Sequence, residues 1–362
     1  MNETPVTVLM PVYNAAPYLR LAMDSVLSQT HRNFEFLIIN DGSTDGSADI
    51  LRSYKDSRIR LVNNESNIGL VATLNKGLNL ASHELVARQD ADDISEPERL
   101  SAQTLRMMEN PSIALLGTQA RMIGGDGSDV DMGVLEKPVS EFAIRWYQLF
   151  DNPFIHSSVM FRKSVAVGEC GAYPDSRACE DYDLWARMAE NHRVESLPEK
   201  LVHYRTHSAS IIGSLGRQDG NKKDGAIADR KKIIARVARN TFGEDLPEGD
   251  IAALESFIRG AEHFEADTFL SAFDRTLSKF TRAFPGALDC ANFHQTVASQ
   301  LATAAYWLIP SDRSRAWDIY RKAISFHPPI KKRLQWKKIA ALWIFGGKAR
   351  SIFRTVRKIS GR

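Results

Sequence analysis

The sequence predicts an α/β protein, a mostly parallel sheet flanked by helices, with an α-helical region after it. Three observations predict it. Short strand-like runs alternate with segments of helical period from Val6 to Tyr204, the signature of a parallel sheet with crossover helices. Polar and acidic residues stand where the first, second and fourth runs end, the place where such sheets bind ligands. From Ala226 onward only helical periodicity remains.

Val6–Val12 is a buried strand, and Pro11 belongs at its end because proline cannot donate to a ladder. Tyr13 and Asn14 open a loop. Leu19, Ala22, Met23, Val26 and Leu27 then recur at helical spacing over Pro17–Gln29, with Pro17 suited to the first turn. Phe34–Ile39 is the second strand; the turn formers Asn40–Gly46 follow it and lead into a helix over Ser47–Tyr54. Ile59–Val62 is a third strand, Asn67-Ile68-Gly69 starts a helix reaching Leu80, and Leu85–Ala87 is a fourth strand running into Arg88-Gln89-Asp90-Ala91-Asp92-Asp93.

Further on, a helix is expected over Pro97–Asn110, a strand over Ala114–Ile123, a turn at Gly124–Gly127 and a helix over Ser140–Phe150. Asn152–His156 leads into a strand, Ser158–Phe161. After the loop Glu169–Ala178, Glu180 and Asp181 open a helix to Glu190, and Leu201–Tyr204 is a short strand. The polar segment 208–225 carries Gly213, Gly216 and Gly220 and marks a boundary; helices follow over Asp250–Phe264, Phe269–Arg282, Phe293–Leu308 and Arg315–Phe326. The expected division is 1–215 for the α/β domain, 216–328 for a helical domain and 329–362 for a basic amphipathic tail.

At 362 residues the chain is long for one domain. Its net charge of +3 hides an asymmetry: residues 319–362 hold 13 of the 47 Lys/Arg and none of the 44 Asp/Glu, so the rest carries −10. A basic block of this kind meets anionic lipid, nucleic acid or only water. In its last stretch Ile352, Phe353, Val356 and Ile359 share one helical face, which fits the interface of an anionic membrane; nothing else in the chain suggests nucleic acid. Cys170, Cys179 and Cys290 are few, odd in number and not at metal-ligand spacing, which suits a reducing compartment. No signal peptide opens the chain, and the longest apolar run of the tail, Ile339–Phe345, is far short of a membrane span.

Three carboxylates in four positions, Asp90, Asp92 and Asp93, repel one another. A divalent cation relieves that repulsion, and Mg²⁺ favours one or two carboxylates together with phosphate oxygens. The competing view is an acidic surface loop with Asp93 as a helix cap. The absence of GxGxxG and of GxxxxGK[ST] speaks against a dinucleotide fold and a P-loop ATPase. Acidic residues in a first helical turn, as at Glu180 and Asp181, are commonplace because they complement the helix dipole.

Eight stretches between residues 11 and 211 resemble, in order, the family 2 glycosyltransferases: PVYNAAPYL at 11–19, SVLSQT at 25–30, IINDGSTDGS at 38–47, NIGLVATLNKGL at 67–78, ARQDADD at 87–93, NPFIHSSVMFR at 152–162, EDYDLW at 180–185 and YRTHSASI at 204–211. The resemblance implies the GT-A fold, Rossmann-like, and the following roles. Pro11, Tyr13, Asn14 and Asp41 hold the nucleoside, with Lys76 near it. Asp90, Ala91 and Asp92 form the DxD motif, Asp90 toward the ribose and Asp92 on the metal, with Asp93 their neighbour. Asp181 is the catalytic base. His207 joins the metal or diphosphate, with His203 a rival. His156, Glu180 and Trp185 line the acceptor or sugar pocket. The cofactor implied is Mg²⁺ or Mn²⁺, and the donor a nucleotide-diphosphate sugar, expected to be a UDP-sugar. The acceptor implied is a glycan or lipid-linked glycan of surface polysaccharide synthesis, reached with inversion by a cytoplasmic enzyme peripheral to the inner face of the membrane. A rival enzyme, a nucleotidyltransferase that makes nucleotide sugars, wants a glycine-rich basic loop after the first strand, where Asn14-Ala15-Ala16-Pro17 stands. The other rival is a non-catalytic nucleotide-sugar-binding protein.

Overall fold

The computed structural model describes residues 3–175, 179–207, 220–259, 263–309 and 312–332. Most of the expected boundary segment 208–225, and the basic tail from residue 333 on, lie outside the described residues. Among them runs one mixed sheet: β1 Val6–Val12, β2 Phe34–Asn40, β3 Ile59–Asn63, β4 Leu85–Arg88, β5 Ile94–Ser95, β6 Ile113–Gly124, β7 Asp129–Leu135, β8 Met160–Arg162 and β9 Arg193–Thr206. Its order is β3-β2-β1-β4-β8-β6-β9-β5, with β7 paired to β6. The first four strands are parallel neighbours, Leu9 of β1 standing level with Leu37 and Arg88. β8 enters antiparallel to both β4 and β6.

The parallel strands are apolar throughout because both faces are covered, as parallel sheets require. On one face Val8, Met10, Val12, Phe36 and Ile38 pack with Leu19, Met23 and Val26 of α1 (Ala16–Leu27). On the other, Leu9, Leu37, Ile39 and Val86 pack with Leu74 and Leu78 of α3 (Leu70–Leu80) and with Leu184, Trp185 and Met188 of α6 (Glu180–Asn191). The short α2 (Ser47–Ser53) follows β2, and α4 (Arg99–Glu109) follows β5.

Three elements differ from the sequence expectation. β9 begins at Arg193 rather than Leu201: the strand passes through Pro198, Glu199 and Lys200, polar residues and a proline without strand propensity, with register shifts against β6. β7 forms a hairpin with β6 where only a turn was expected, since two Asp and a Gly in DVDMGVL lower its strand propensity. β5 is two residues long, too short for any periodic signal.

The chain divides into two compact units, residues 1–144 with 151–237, and residues 145–150 with 238–362. The division falls inside α7 (Gly220–Phe242), not at residue 215, and Arg145–Phe150 from α5 (Glu141–Tyr147) and the turn after it join the second unit. That unit holds α8 (Glu248–Arg259), α9 (Ala266–Ala283), α10 (Ala291–Leu308) and α11 (Arg313–Phe326). Trp146 organises its core: the indole meets Phe273, Phe280 and Phe293 edge-on, and its N–H donates to Gln300 Oε1 at 2.6 Å. Among the described residues no helix is long and apolar enough to cross a membrane.

Gly42 fixes the turn after β2. Its φ of +66° is left-handed, and a Cβ there would lie 2.6 Å from the backbone of Ser66 and Asn67. Backbone cannot rotate away as a side chain can. Gly42→Ala is therefore expected to lower unfolding free energy by about 2–5 kcal/mol, the sum of left-handed strain and overpacking. A urea melt overlying wild type would show that the two loops are not held in contact.

Candidate active site

β1, β2 and β4 are adjacent and parallel, so the residues after them share one edge of the sheet. After β1, Asn14 adopts φ 50° and its Oδ1 accepts the Thr44 N–H at 2.8 Å, while its own N–H donates to Ser43 Oγ at 3.1 Å. Asn14 thus ties the first loop to the second. Tyr13 beside it is half exposed, and Pro11 is buried in β1 level with Ile39 of β2. After β2, the buried Asp41 accepts from Asn64 Nδ2 at 2.7 Å and from the N–H groups of Ile68 at 2.9 Å and Gly69 at 3.0 Å. Asp41 therefore shapes the turn that opens α3. Lys76 donates to Asn64 Oδ1 at 2.6 Å, one bond further from the same carboxylate.

The acidic loop after β4 is built on two buried side chains. Gln89 donates from Nε2 to the carbonyls of Asp90 and Asp93, and its Oε1 accepts from Ser95 Oγ and Arg99. Arg99 also reaches the Arg88 carbonyl at 2.7 Å. Burial, and then the nearby Arg88, pull its guanidinium down to about 9, so it stays charged at neutral pH.

Each carboxylate then finds a different partner. Asp90 pairs with the buried Arg88. Asp92 Oδ2 meets His207 Nε2 at 2.9 Å, and the His207 ring lies 4.6 Å from that of Tyr18. Asp93 is almost fully buried; it accepts from Ser157 Oγ and, at 2.7 Å, from the Arg205 N–H. Burial and the neighbouring Asp90 push the Asp92 carboxyl up, with His207 opposing, and burial with both neighbours pushes Asp93 well up. Arg205 clamps the loop from β9 through its Nε to the Asp92 carbonyl at 2.8 Å. His203 turns elsewhere, to Glu96 at 2.7 Å.

A cleft of about 1150 Å³ lies beside this loop, lined among others by Asp90, Asp92, Asp93, His156, Glu180 and Asp181. Ala91, Asn14, Asp41, Lys76, Trp185 and His207 are outside that lining. Asp181 Oδ2 accepts from Asn152 Nδ2 at 2.7 Å and Oδ1 from the Tyr182 N–H at 2.7 Å. Burial raises its carboxyl to about 6, and burial together with Asp181 raises Glu180 to about 7. His156 bonds the Tyr173 hydroxyl at 3.1 Å, and burial, then Arg88, hold its imidazole well below its ordinary value. Trp185, fully buried, sits edge-on to His156 and Tyr173 and so supports the cleft from beneath.

Arg88, Arg205, Asn152, Lys137 and Tyr173 escaped the sequence reading as site residues, although all five line the cleft. Arg88 carried a signal, being the residue that precedes the acidic loop, and Asn152 and Arg205 stand in the matched stretches 152–162 and 204–211; Lys137 and Tyr173 lie in none of those stretches.

The donor set suits a hard divalent cation. One ligand atom from each of Asp90, Asp92 and Asp93 lies within 4.8 Å of the other two. Asp93 is committed on both oxygens, which leaves Asp90 and Asp92, with the His207 imidazole on Asp92, as the residues that would hold the ion.

The family model for glycosyl transferase family 2 matches residues 7–167. The O-antigen biosynthesis glycosyltransferase WbnJ of Escherichia coli is 34% identical over 215 residues, 57% of this chain and 81% of WbnJ. The chain belongs to glycosyl transferase family 2. The amylovoran biosynthesis glycosyltransferase AmsE of Erwinia amylovora is 32% identical over 210 residues, 57% of this chain and 77% of AmsE. Among solved structures, Staphylococcus aureus TarS 1–349 in complex with UDP-GlcNAc aligns over 91% of this chain and 92% of its own, with TM-score 0.54 and 17% identity. The mannosyltransferase PcManGT of Pyrobaculum calidifontis, in complex with GDP-Man and Mn²⁺, aligns over 96% and 86%, with TM-score 0.50 and 18% identity. These two likenesses show the GT-A fold.

The Glu180 carboxyl makes stability depend on pH. Its folded pKa lies above the ordinary 4.5, so the folded state holds the proton more tightly than the unfolded chain. That contribution is complete at low pH and is lost as pH rises from about 4.5 to about 7. Glu180→Gln, neutral at every pH, is expected to unfold with wild-type free energy at pH 4 and to be more stable at pH 8 by on the order of 1–3 kcal/mol. Denaturant melts across that range in metal-free buffer check it; parallel curves for the two proteins would exclude the buried charge.

Proposed function

We propose that this family 2 enzyme transfers a sugar from a nucleotide-diphosphate sugar, a UDP-sugar, to a hydroxyl of a glycan or lipid-linked acceptor, with inversion, in surface polysaccharide synthesis. The observation that carries the reading is that Asp181, raised to about 6, and the carboxylates Asp90 and Asp92 line one cleft. TarS with UDP-GlcNAc and PcManGT with GDP-Man support a nucleotide-sugar donor, and WbnJ and AmsE support polysaccharide synthesis.

In this reading Tyr13, Asn14 and Asp41 receive the nucleoside at the ends of β1 and β2, with Pro11, Lys76 and Ala91 around it. Asp92, with His207, faces the diphosphate. A bound Mg²⁺ or Mn²⁺ supplies positive charge against which the leaving diphosphate is stabilised. The acceptor hydroxyl gives its proton to Asp181 as its oxygen bonds to the anomeric carbon. The bond from that carbon to the diphosphate oxygen breaks, and its electron pair leaves with the nucleoside diphosphate. A carboxyl near 6 is ionised at pH 7 and is a stronger base than an ordinary aspartate, which suits a proton acceptor. His156, with Glu180, borders the acceptor or sugar, and Trp185 backs them.

Purified protein is incubated with a panel of nucleotide sugars and Mg²⁺ or Mn²⁺, and release of nucleoside diphosphate is scored. Asp181→Asn is expected to keep donor affinity and to lose roughly 10²–10⁴-fold in rate. Asp92→Ala, correctly folded, is expected to lose metal-dependent donor binding. Full turnover by Asp181→Asn would move the base elsewhere.

The basic tail extends the proposal to location, at the inner face of the cytoplasmic membrane. Each Lys/Arg near an anionic surface contributes on the order of 1 kcal/mol, and the tail, residues 329–362, brings 11. Full-length protein is expected to co-sediment with anionic vesicles at low salt and to be released at high salt, while a chain ending near Pro329 stays in solution. Equal binding by both lengths would reject attachment through the tail.

A further inference from the structure

Asn152 reaches Asp181 from outside its helix. It precedes the short 3₁₀ turn His156–Ser158, and its Nδ2 donates to Asp181 Oδ2 at 2.7 Å. Its Oδ1 accepts the Phe154 N–H at 3.0 Å, which settles which end of the amide faces the carboxylate. Its backbone carbonyl accepts from Lys137 Nζ at 2.6 Å, and Lys137 also faces Asp151 Oδ2 at 3.4 Å. The Lys137 N–H is tied in turn to Gln119 Oε1 of β6 at 2.7 Å. Both oxygens of Asp181 are thus held from the protein side, one by the side chain of Asn152 and one by the Tyr182 N–H, and each keeps a further lone pair. Lys137, Asp151, Asn152 and Asp181 all line the cleft.

We propose that Asn152 is a positioning residue of the transfer reaction, holding the Asp181 carboxylate ionised and in the orientation in which it takes the acceptor's proton. The proposal rests on Asp181 being the base. A donor aimed at a carboxylate oxygen stabilises the charged form. Burial and the charge of Asp151 oppose the ionised form, and the Tyr182 N–H, Arg88 and Lys137 favour it; the Asn152 amide is a second donor on the same carboxylate, and Glu180, Tyr173 and Cys179 also feel the charge of Asp181. A purely structural role would rest on the bond to the Phe154 N–H instead. The two roles separate in Asn152→Asp, which keeps an acceptor for Phe154 but turns a carboxylate, not a donor, toward Asp181.

The test needs no substrate. Protein labelled with ¹³C at the aspartate carboxyls is titrated, and the Asp181 resonance is assigned by its loss in Asp181→Asn. In wild type the midpoint is expected at about 6. Asn152→Ala is expected to raise it by about one pH unit, and Asn152→Asp by more, because a like charge replaces a donor. Thermal melts identify the folded variants, and Asn152→Asp decides the matter if Asn152→Ala does not fold. An unmoved Asp181 midpoint in a folded variant overturns the proposal. Full turnover by Asp181→Asn in the donor panel refutes the base itself, a separate result that the titration cannot produce.

Discussion

Three carboxylates at the end of β4, with ligand atoms within 4.8 Å of one another, repel with on the order of 4 kcal/mol per pair at 4 Å in an effective dielectric of about 20. The rest of the α/β unit is arranged around that repulsion. Three buried arginines answer it in different ways. Arg88 pairs with Asp90 directly; burial opposes its charge, and the carboxylate more than restores it. Arg205 offers its backbone N–H to Asp93 and its side chain to the Asp92 carbonyl. Arg99 hydrogen-bonds Gln89, Ser95, Gln103 and the carbonyls of Arg88 and Val159, so its charge supports the loop through neutral groups. Two carboxylates remain crowded at the cleft after Asp93 is absorbed, which is where positive charge from outside the chain has most to gain.

The sheet supplies the rigidity this needs. β4 lies between β1 and β8, and the Arg88 N–H is bonded to Val159 just before β8. β9 delivers Arg205 and then His207 to the same loop, so β9 has to run on to Thr206 for the clamp to close. The long β6–β9 ladder, parallel and interrupted by register shifts, reaches from Ile113 to Gly124 and carries both ends of that arrangement.

The parts legible in the sequence are those in which local pattern and site coincide. Val6–Val12, Phe34–Ile39 and Leu85–Ala87 are continuous apolar runs that end in Asn14, Asp41 and Asp90, and the structure sets them side by side. The parts that were not legible depend on partners distant in the chain. Asp93 reads as a neighbour of the metal pair, but Ser157 and Arg205, from two other segments, make it a buried anchor. Asn152 lies 29 residues before Asp181 and carries no spacing that announces their bond. Trp185 is placed at the pocket by the resemblance of EDYDLW at 180–185; in the structure helical geometry turns its ring inward against His156 and Tyr173. Lys76 is placed near a nucleotide only by the resemblance; in the structure its bond to Asn64 joins it to the network around Asp41.

Glu180 and Asp181 stand in the first turn of α6, where the helix dipole favours negative charge by about 0.3–1 kcal/mol. That is the common reason for acidic residues in such a turn, and alone it would lower both carboxyls. Both are raised instead, so burial in the cleft outweighs the dipole. A residue placed only to cap a helix gains nothing from that burial. In the proposed mechanism Asp181 does gain, because desolvation raises its basicity while the Tyr182 N–H favours the ionised form. The two opposing influences on Asp181 are therefore separable features of the fold, one set by the depth of the cleft and the other by two hydrogen bonds.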